Sequence, residues 1–499
     1  MEVPLTPLDF LVRARRLFPD RVGVVDSPLR RTYAEFAERA DRLASALRSD
    51  LGVRPGDRVA WLCGNTPELL EAYYGVLLAG AVLLPLNIRL APAESRFVLD
   101  DSDAAVLFRH PDQPDVAHPV PTVVVGPEYE DLLSRQPAGP FPFEVPDERA
   151  PAELFYTSGT TGDPKGVVLT HRSLYLHAVH SALTNRFTGD DVVLHTIPLF
   201  HVNGWGTPHY LTGLGGVHVL LPRFDPAEVL ARVASERVTR LFLVPTMARA
   251  VLNAPEVAQT DLSSLRQVSV GGAPAGPELL AEIEDRLGCE CICGYGLTEA
   301  GPTVTRSLDK PGDPPSRLRR ATAGLPIVGV DVRVLAGGDV EVPWDGATPG
   351  EVCVRSNHVM AGYWKRPEET AAALRDGWLR TGDVGVVGAD GYLTIVDRLK
   401  DIIVSGGENV SSVQVEHALA AHPAVSEVAV VGAPDARWGE VPKAWVALRP
   451  GAEATEQELT EWVRGRLARF KVPKSIVFLP ELPKGGTGKI LKHDLRRRG

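Results

Sequence analysis

Cysteine is scarce in this chain of 499 residues, and the five present form an odd number, so a disulfide framework is not expected. A reducing compartment follows, with the cytoplasm as the expected location. A basic surplus is missing as well: 53 Lys and Arg stand against 63 Asp and Glu, for a net charge of -10. Phosphate backbones are held by a basic face, so nucleic acid is excluded as a general partner and anionic substrates must be met by local cations. Long apolar runs are also absent. The longest, Ala72 to Leu84, is too short to span a bilayer, so no transmembrane segment is expected; it fits a buried helix running into a strand. The N-terminal MEVPLTPLDFLVRARRLFPDR lacks an apolar segment followed by a small-residue cleavage site, so no secretory signal is expected. Solenoid repeats and low-complexity blocks are missing too.

What remains is an ordinary globular composition, 44% apolar, with length for roughly two to four domains. From Thr32, TYAEFAERADRLASALR has apolar residues at helical spacing behind a polar N-cap, which predicts a helix to about Ser49. Pro55-Gly56-Asp57 turns into a strand, RVAWLC. Strand and helix patterns alternate again over Asp191 to Leu221 and Ala231 to Leu252, as in a mixed or parallel sheet covered by helices. The Pro- and acid-rich stretch Arg109 to Ala150 is expected to be mostly loop. After Gly324, short strands (DVRVL, GEVCVRS, GYLTIV) predict a β-rich lobe, and from Val413 a separate small α+β unit. The expected fold is thus α/β: a large N-terminal domain of mixed sheets flanked by helices plus the β-rich lobe over 1–397, and a small C-terminal α+β domain over 398–499.

Tyr156-Thr157-Ser158-Gly159-Thr160-Thr161-Gly162-Asp163-Pro164-Lys165-Gly166 packs four hydroxyls, three glycines and a lysine into eleven residues between two strand-like runs. Glycines let backbone N–H groups approach an anion, hydroxyls add donors and lysine adds charge, which together suit a polyphosphate. The spacing differs from GxxxxGK[ST], so this is not the loop of kinases and GTPases. The run resembles the signature of the adenylate-forming superfamily of acyl-CoA synthetases, adenylation domains and luciferases, most like its fatty-acyl-CoA ligases. Matching segments follow in family order from about residue 30 to the C-terminus.

The resemblance implies the roles that follow. Gly271-Gly272-Ala273-Pro274 would line the adenine and acyl pockets. In Cys293-Gly294-Tyr295-Gly296-Leu297-Thr298-Glu299, Tyr295 would stack on adenine, Thr298 touch phosphate, and Glu299, with Thr157, hold Mg²⁺. The third glycine of a dinucleotide fingerprint is replaced by Glu299, which disfavours a Rossmann dehydrogenase. Thr381-Gly382-Asp383 and Arg398 would hold the ribose with Ile395 nearby, Lys400 would be the hinge of a mobile C-terminal domain, and Lys489, in PKGGTGKI, would meet the carboxylate and the α-phosphate. His201, Val202 and Trp205 would lie at the acyl site, His201 positioning rather than acting as base. Ser405, Gly406 and Gly407 would face the thiol channel, beside Val404 where several relatives carry Lys.

The implied reaction joins a carboxylic acid to ATP, releases pyrophosphate, and passes the acyl group to coenzyme A. A medium- or long-chain fatty acid is expected first and an aryl acid second, since the stretch Thr184 to Ser307 offers no evident buried cation for a second polar group. HVNGWGTPHY lacks the carboxylate of amino-acid-loading domains, and the chain ends ten residues after Lys489, so a carrier protein is not favoured as acceptor. A catalytically silent nucleotide-binding relative is the alternative of another class, against which all the matched charged residues stand. A homodimer is left open. Cys289, Cys291 and Cys293 fall on one face of a strand by period two and are expected to be buried packing, not a metal site.

Overall fold

The computed structural model describes residues 2–144, 147–157, 164–337, 339–399, 401–405, 408–435, 438–485 and 490–498. The helix expected after Thr32 runs Tyr33–Ser49. Its cap is reciprocal: the Glu35 N–H donates to the Thr32 hydroxyl at 3.2 Å and the Thr32 N–H donates to the Glu35 carboxylate at 2.7 Å. The long apolar stretch divides as its pattern implies, into the buried helix Pro67–Leu78 and the buried strand Val82–Pro85. Among the described residues no helix is long and apolar enough to cross a membrane.

Two large sheets form the body. In the nine-stranded sheet, Glu290–Gly296, Gln267–Val270, Arg240–Leu243, Val192–His195, Val217–Leu220 and Val22–Asp26 are neighbours in that order and parallel. Such strands are buried and mainly apolar, here with His195, His218, Arg240 and Gln267 as buried polar members. Antiparallel to the first of them lies Thr303–Arg306. In the seven-stranded sheet, Pro151–Thr157 forms a hairpin with Lys165–Thr170 and runs parallel to Val82–Pro85. The short strand Gly362–Tyr363 covers the outer edge of that hairpin. In open parallel sheets ligands collect at the carboxyl ends of strands, which here present Thr157, Gly271 and Gly294.

A six-stranded antiparallel lobe follows, in which Trp378–Val387 pairs with both Gly350–Ser356 and Leu393–Arg398. The next strand, Ile403–Ser405, belongs to a different, five-stranded sheet built around Val425–Asp435 and Gly439–Leu448. That sheet packs the helices Ser412–Ala420 and Glu456–Arg464 through its own core of Val415, Leu419, Val430, Val446, Leu459 and Val463. The α/β architecture is as expected. One stretch is more ordered than its composition suggested. Within Arg109 to Ala150, Thr122–Val124 is a strand and Pro127–Ser134 a helix, because Tyr129, Leu132 and Leu133 give a buried helical face amid prolines and acids.

Replacing Thr32 by Ala removes the reciprocal cap and is expected to cost about 1 kcal/mol of stability, read from the midpoint shift in chemical denaturation.

Candidate active site

The hairpin sets Thr157 directly opposite Lys165. Residues 158–163, including Ser158, Gly159, Thr160, Thr161 and Gly162, lie outside the described residues, as do Lys400, Gly406, Gly407 and Lys489. The Lys165 ammonium lies 5.2 Å from the ring centroid of Tyr363, whose hydroxyl donates to Glu299 Oε1 at 3.0 Å. Tyr363 thus bridges the phosphate hairpin and the predicted metal residue. Sequence reasoning missed it, because its place against the hairpin is set by cross-strand register and by no signal in its neighbours.

Glu299 and Thr298 occupy a tight turn, Thr298–Ala300, between the strands Glu290–Gly296 and Thr303–Arg306. The Met360 N–H donates to the Glu299 carbonyl at 2.9 Å and His358 Nδ1 to the Ala300 carbonyl at 2.8 Å, which fixes the turn from behind. Burial pushes the Glu299 carboxyl above its ordinary range, and the Tyr363 hydroxyl only partly opposes this. No lysine or arginine pairs with it among the described residues. A half-buried carboxylate in no ion pair among the described residues suits a hard metal ion, and Mg²⁺ takes one or two carboxylates with phosphate and water oxygens completing its shell. Accordingly, no group of three or more His, Cys, Asp and Glu side chains among the described residues could hold a metal by itself.

Three of the predicted nucleotide residues come together. The Tyr295 hydroxyl donates to Asp383 Oδ2 at 2.7 Å, and Arg398 Nε lies 3.2 Å from Asp383 Oδ1. Strand register explains this, since Asp383 and Arg398 are direct antiparallel partners, with Ile395 opposite Gly385. Gly296 admits no side chain, because a Cβ there would strike the Pro302 carbonyl oxygen. Gly272 has φ +77°, so the chain turns away after Gly271 and leaves Ala273 and Pro274 exposed. Cys289, Cys291 and Cys293 are buried free thiols in the core, as expected. Ser405 is buried and pairs with Glu408 and Gly439 in the C-terminal sheet, where Val404 is paired with Asn409.

The predicted acyl residues lie on a left-handed turn: φ is +37° at Val202, +43° at Asn203, +51° at Gly204, +64° at Trp205 and +85° at Gly206. For L-residues this conformation costs roughly 1–2 kcal/mol each, most for a β-branched valine, so neighbours must hold it. Asn203, fully buried, donates through Nδ2 to Glu153 Oε2 at 2.9 Å, and Glu153 Oε1 accepts from His209 Nε2 at 2.7 Å. The Thr207 hydroxyl donates to the Gly204 carbonyl at 3.0 Å. It therefore accepts from His195 Nδ1, whose Nε2 in turn accepts from His218 Nδ1 at 2.9 Å. Burial holds His195 neutral, pushed down to about 3. Gly206 rests on the His177 ring, where no Cβ fits. So held, Trp205 lies against Gly271, its Cη2 2.8 Å from where a Cβ would be, and edge-on to Phe242 with ring centroids 5.7 Å apart. His201 is the cap residue just before this turn.

One expectation is corrected here. A buried cation does stand beside these residues: Arg306, only 4% exposed, pairs across the strands with Gly294 and lies over the Phe242 ring. Its place at the end of a short polar strand, TVTR, hid it from composition.

Substituting Thr207 by Val keeps the shape and removes the hydroxyl that holds the Gly204 carbonyl. The KM for the acid is expected to rise about threefold to tenfold while the KM for ATP stays put, and Thr207→Ser restores it. Steady-state kinetics in each substrate checks this.

A family model described as AMP-binding enzyme matches residues 11–364, and one described as AMP-binding enzyme C-terminal domain matches 414–489. The chain is 43% identical over 497 residues to a feruloyl-CoA synthase of an Amycolatopsis species, covering 98% of each. It is 35% identical over 537 residues to a peroxisomal trans-cinnamate:CoA ligase of Petunia hybrida, covering 99% of this chain and 94% of that one. A solved anthranilate CoA ligase in complex with anthranoyl-AMP superposes with a TM-score of 0.92 at 28% identity, covering 100% of this chain and 98% of that one. With its phosphate hairpin, its Tyr295–Asp383–Arg398 cluster and these matches along nearly its whole length, the chain belongs to the AMP-binding enzyme family and is an AMP-forming, ATP-dependent acid:CoA ligase.

Proposed function

We propose that the acid is a flat aryl acid of the cinnamate type, in place of the medium- or long-chain fatty acid that the apolar composition put first. The observation that carries this reading is the aromatic wall, in which Trp205 lies on Gly271 and meets Phe242 edge-on. Such a wall suits a planar ring better than a flexible chain. The names of the feruloyl, cinnamate and anthranilate relatives support the same class.

In this reading a carboxylate oxygen attacks the α-phosphorus of ATP and pyrophosphate leaves. Tyr295, Asp383 and Arg398 hold the adenosine, while Lys165 and Lys489 meet the charge that builds on the phosphates. Glu299 and Thr157 would hold Mg²⁺, which when bound supplies positive charge against the phosphate oxygens. The thiol of coenzyme A then attacks the acyl carbonyl carbon, and AMP leaves. The chain divides into 1–397 and 398–499, and the second part turns about Lys400, withdrawing Lys489 and bringing Ser405, Gly406 and Gly407 to the thiol. The change of sheet between Arg398 and Ile403 supports this division. The contact of Arg89 Nη1 with the Gly485 carbonyl at 3.2 Å supports a place for the segment before Lys489 beside the N-terminal part. Five free buried cysteines support a cytoplasmic setting.

Release of pyrophosphate and AMP is measured with a series of aryl and straight-chain acids, each with and without coenzyme A. Cinnamate-type acids are expected to give the highest CoA-dependent AMP production; a straight-chain acid outperforming them sinks the aryl reading. Lys489→Ala is expected to impair adenylate formation far more than thiolation of supplied adenylate, and equal losses in both half-reactions would refute its role.

A further inference from the structure

Arg306 carries a charge that the protein does not compensate. The residue is more than nine-tenths buried, yet its Nε has no hydrogen-bond partner and no ion pair involves it among the described residues. Its neighbours explain why the charge stays open. Tyr210 and Cys293 are the nearest acidic groups, and burial keeps both protonated, the Cys293 thiol pushed up to about 12 and the Tyr210 phenol higher still. Asp191, the carboxylate of this region, is already committed to Arg240 Nε at 2.8 Å and Arg266 Nη2 at 2.7 Å. The His177 ring nearby is held neutral by burial. An unpaired guanidinium at such depth is costly and persists where a ligand completes it.

The place of this group says which ligand. Arg306 Nη1 lies 2.8 Å from where a Cβ on Gly294 would be, so the side chain fills the space that glycine leaves open. The Gly294 carbonyl oxygen lies 3.3 Å from the corresponding point on Gly271, where Trp205 rests. Phe242 is shared as well: its ring meets Trp205 edge-on, and the guanidinium carbon of Arg306 lies 5.9 Å from its centroid. Arg306 and Trp205 thus stand about the same glycines and the same phenylalanine.

We propose that Arg306 is the distal anchor of the acid site, donating hydrogen bonds to an oxygen substituent at the end of the acid remote from the reacting carboxylate. This rests on the reading that Trp205 and Phe242 wall the acid site. The ligand class is an acid with a second oxygen function: a ring hydroxyl or a second carboxylate. A guanidinium offers its donors in a planar fork that suits either.

The test compares kcat/KM for cinnamate, para-hydroxycinnamate and para-carboxycinnamate, and for octanoate and its ω-hydroxy counterpart, in the wild-type enzyme and in Arg306→Met and Arg306→Lys. The wild type is expected to favour an oxygenated partner by about tenfold to a hundredfold, as a charge-assisted hydrogen bond supplies. The two para substituents separate a neutral oxygen from a second carboxylate. In Arg306→Met the ratio collapses towards one without a matching change in the KM for ATP, and Arg306→Lys restores part of it. A wild-type ratio near one, or a Met variant that keeps the ratio, overturns the proposal. The wild-type ratio needs no variant, so poor folding of either substitution leaves the test decisive. If only the straight-chain acids turn over, the aryl reading falls, and the octanoate pair then decides the anchor in the same way.

Discussion

Glu153 is the carboxylate that ties the strand leading to Thr157 to the left-handed turn before Trp205. It is wholly buried in the strand Pro151–Thr157, whose far end delivers Thr157 to the phosphate hairpin, and it holds the Asn203 amide and the His209 ring. The Tyr73 and Tyr74 rings pack edge-to-face with His209, whose ring is buried with Glu153. The left-handed turn from Val202 to Gly206 is unfavourable on its own, and these contacts, with the Thr207–His195–His218 chain, make it the stable choice. A shift of this strand would therefore move the phosphate hairpin and Trp205 together. Both sites are built on one rigid element, which suits a reaction that must bring a carboxylate oxygen to a phosphorus atom.

The parts of the site that were legible in the sequence are those whose chemistry sits in consecutive residues. The hydroxyl and glycine run before Lys165 suggests a phosphate cradle by local composition, whereas the GYGLTE segment and the Thr381-Gly382-Asp383 turn take their expected nucleotide and ribose roles from the resemblance to the adenylate-forming superfamily. The alternation of Cys289, Cys291 and Cys293 likewise predicted their shared buried face. The fold was legible for the same reason, since Thr32 caps a helix through Glu35, three residues away, and parallel strands appear as short apolar runs.

What was hidden depends on residues that only the sheets bring together. Tyr363 reaches Glu299 because a two-residue strand covers the edge of the phosphate hairpin, and nothing in its neighbours states that register. Glu153 resembles an ordinary polar residue at a strand start until the acyl turn is placed on it. Arg306 shares a strand face with buried Val304 by period two, yet a charged residue closing a strand reads as a solvent-facing end, and the glycine opposite it leaves the space its side chain fills. Buried charge is the hardest property to infer from sequence, because it depends on what the rest of the chain fails to supply.

Glu299 and Arg306, neither in an ion pair among the described residues, have opposite sign and belong to one local unit. Glu299 lies in the turn that joins the strands Glu290–Gly296 and Thr303–Arg306, and Arg306 closes the second of them opposite Gly294. Tyr295, whose hydroxyl donates to Asp383, is the next residue along the first strand after Gly294. A single antiparallel pair therefore carries the carboxylate suited to the metal, the aromatic suited to adenine and the cation beside the acyl wall, at separations fixed by strand register. On the proposed roles of Glu299 and Arg306, an acid that satisfies both has its length decided by the geometry of this strand pair. Selectivity for that length then costs no additional ordering of loops on binding, since the strands that measure it are already folded.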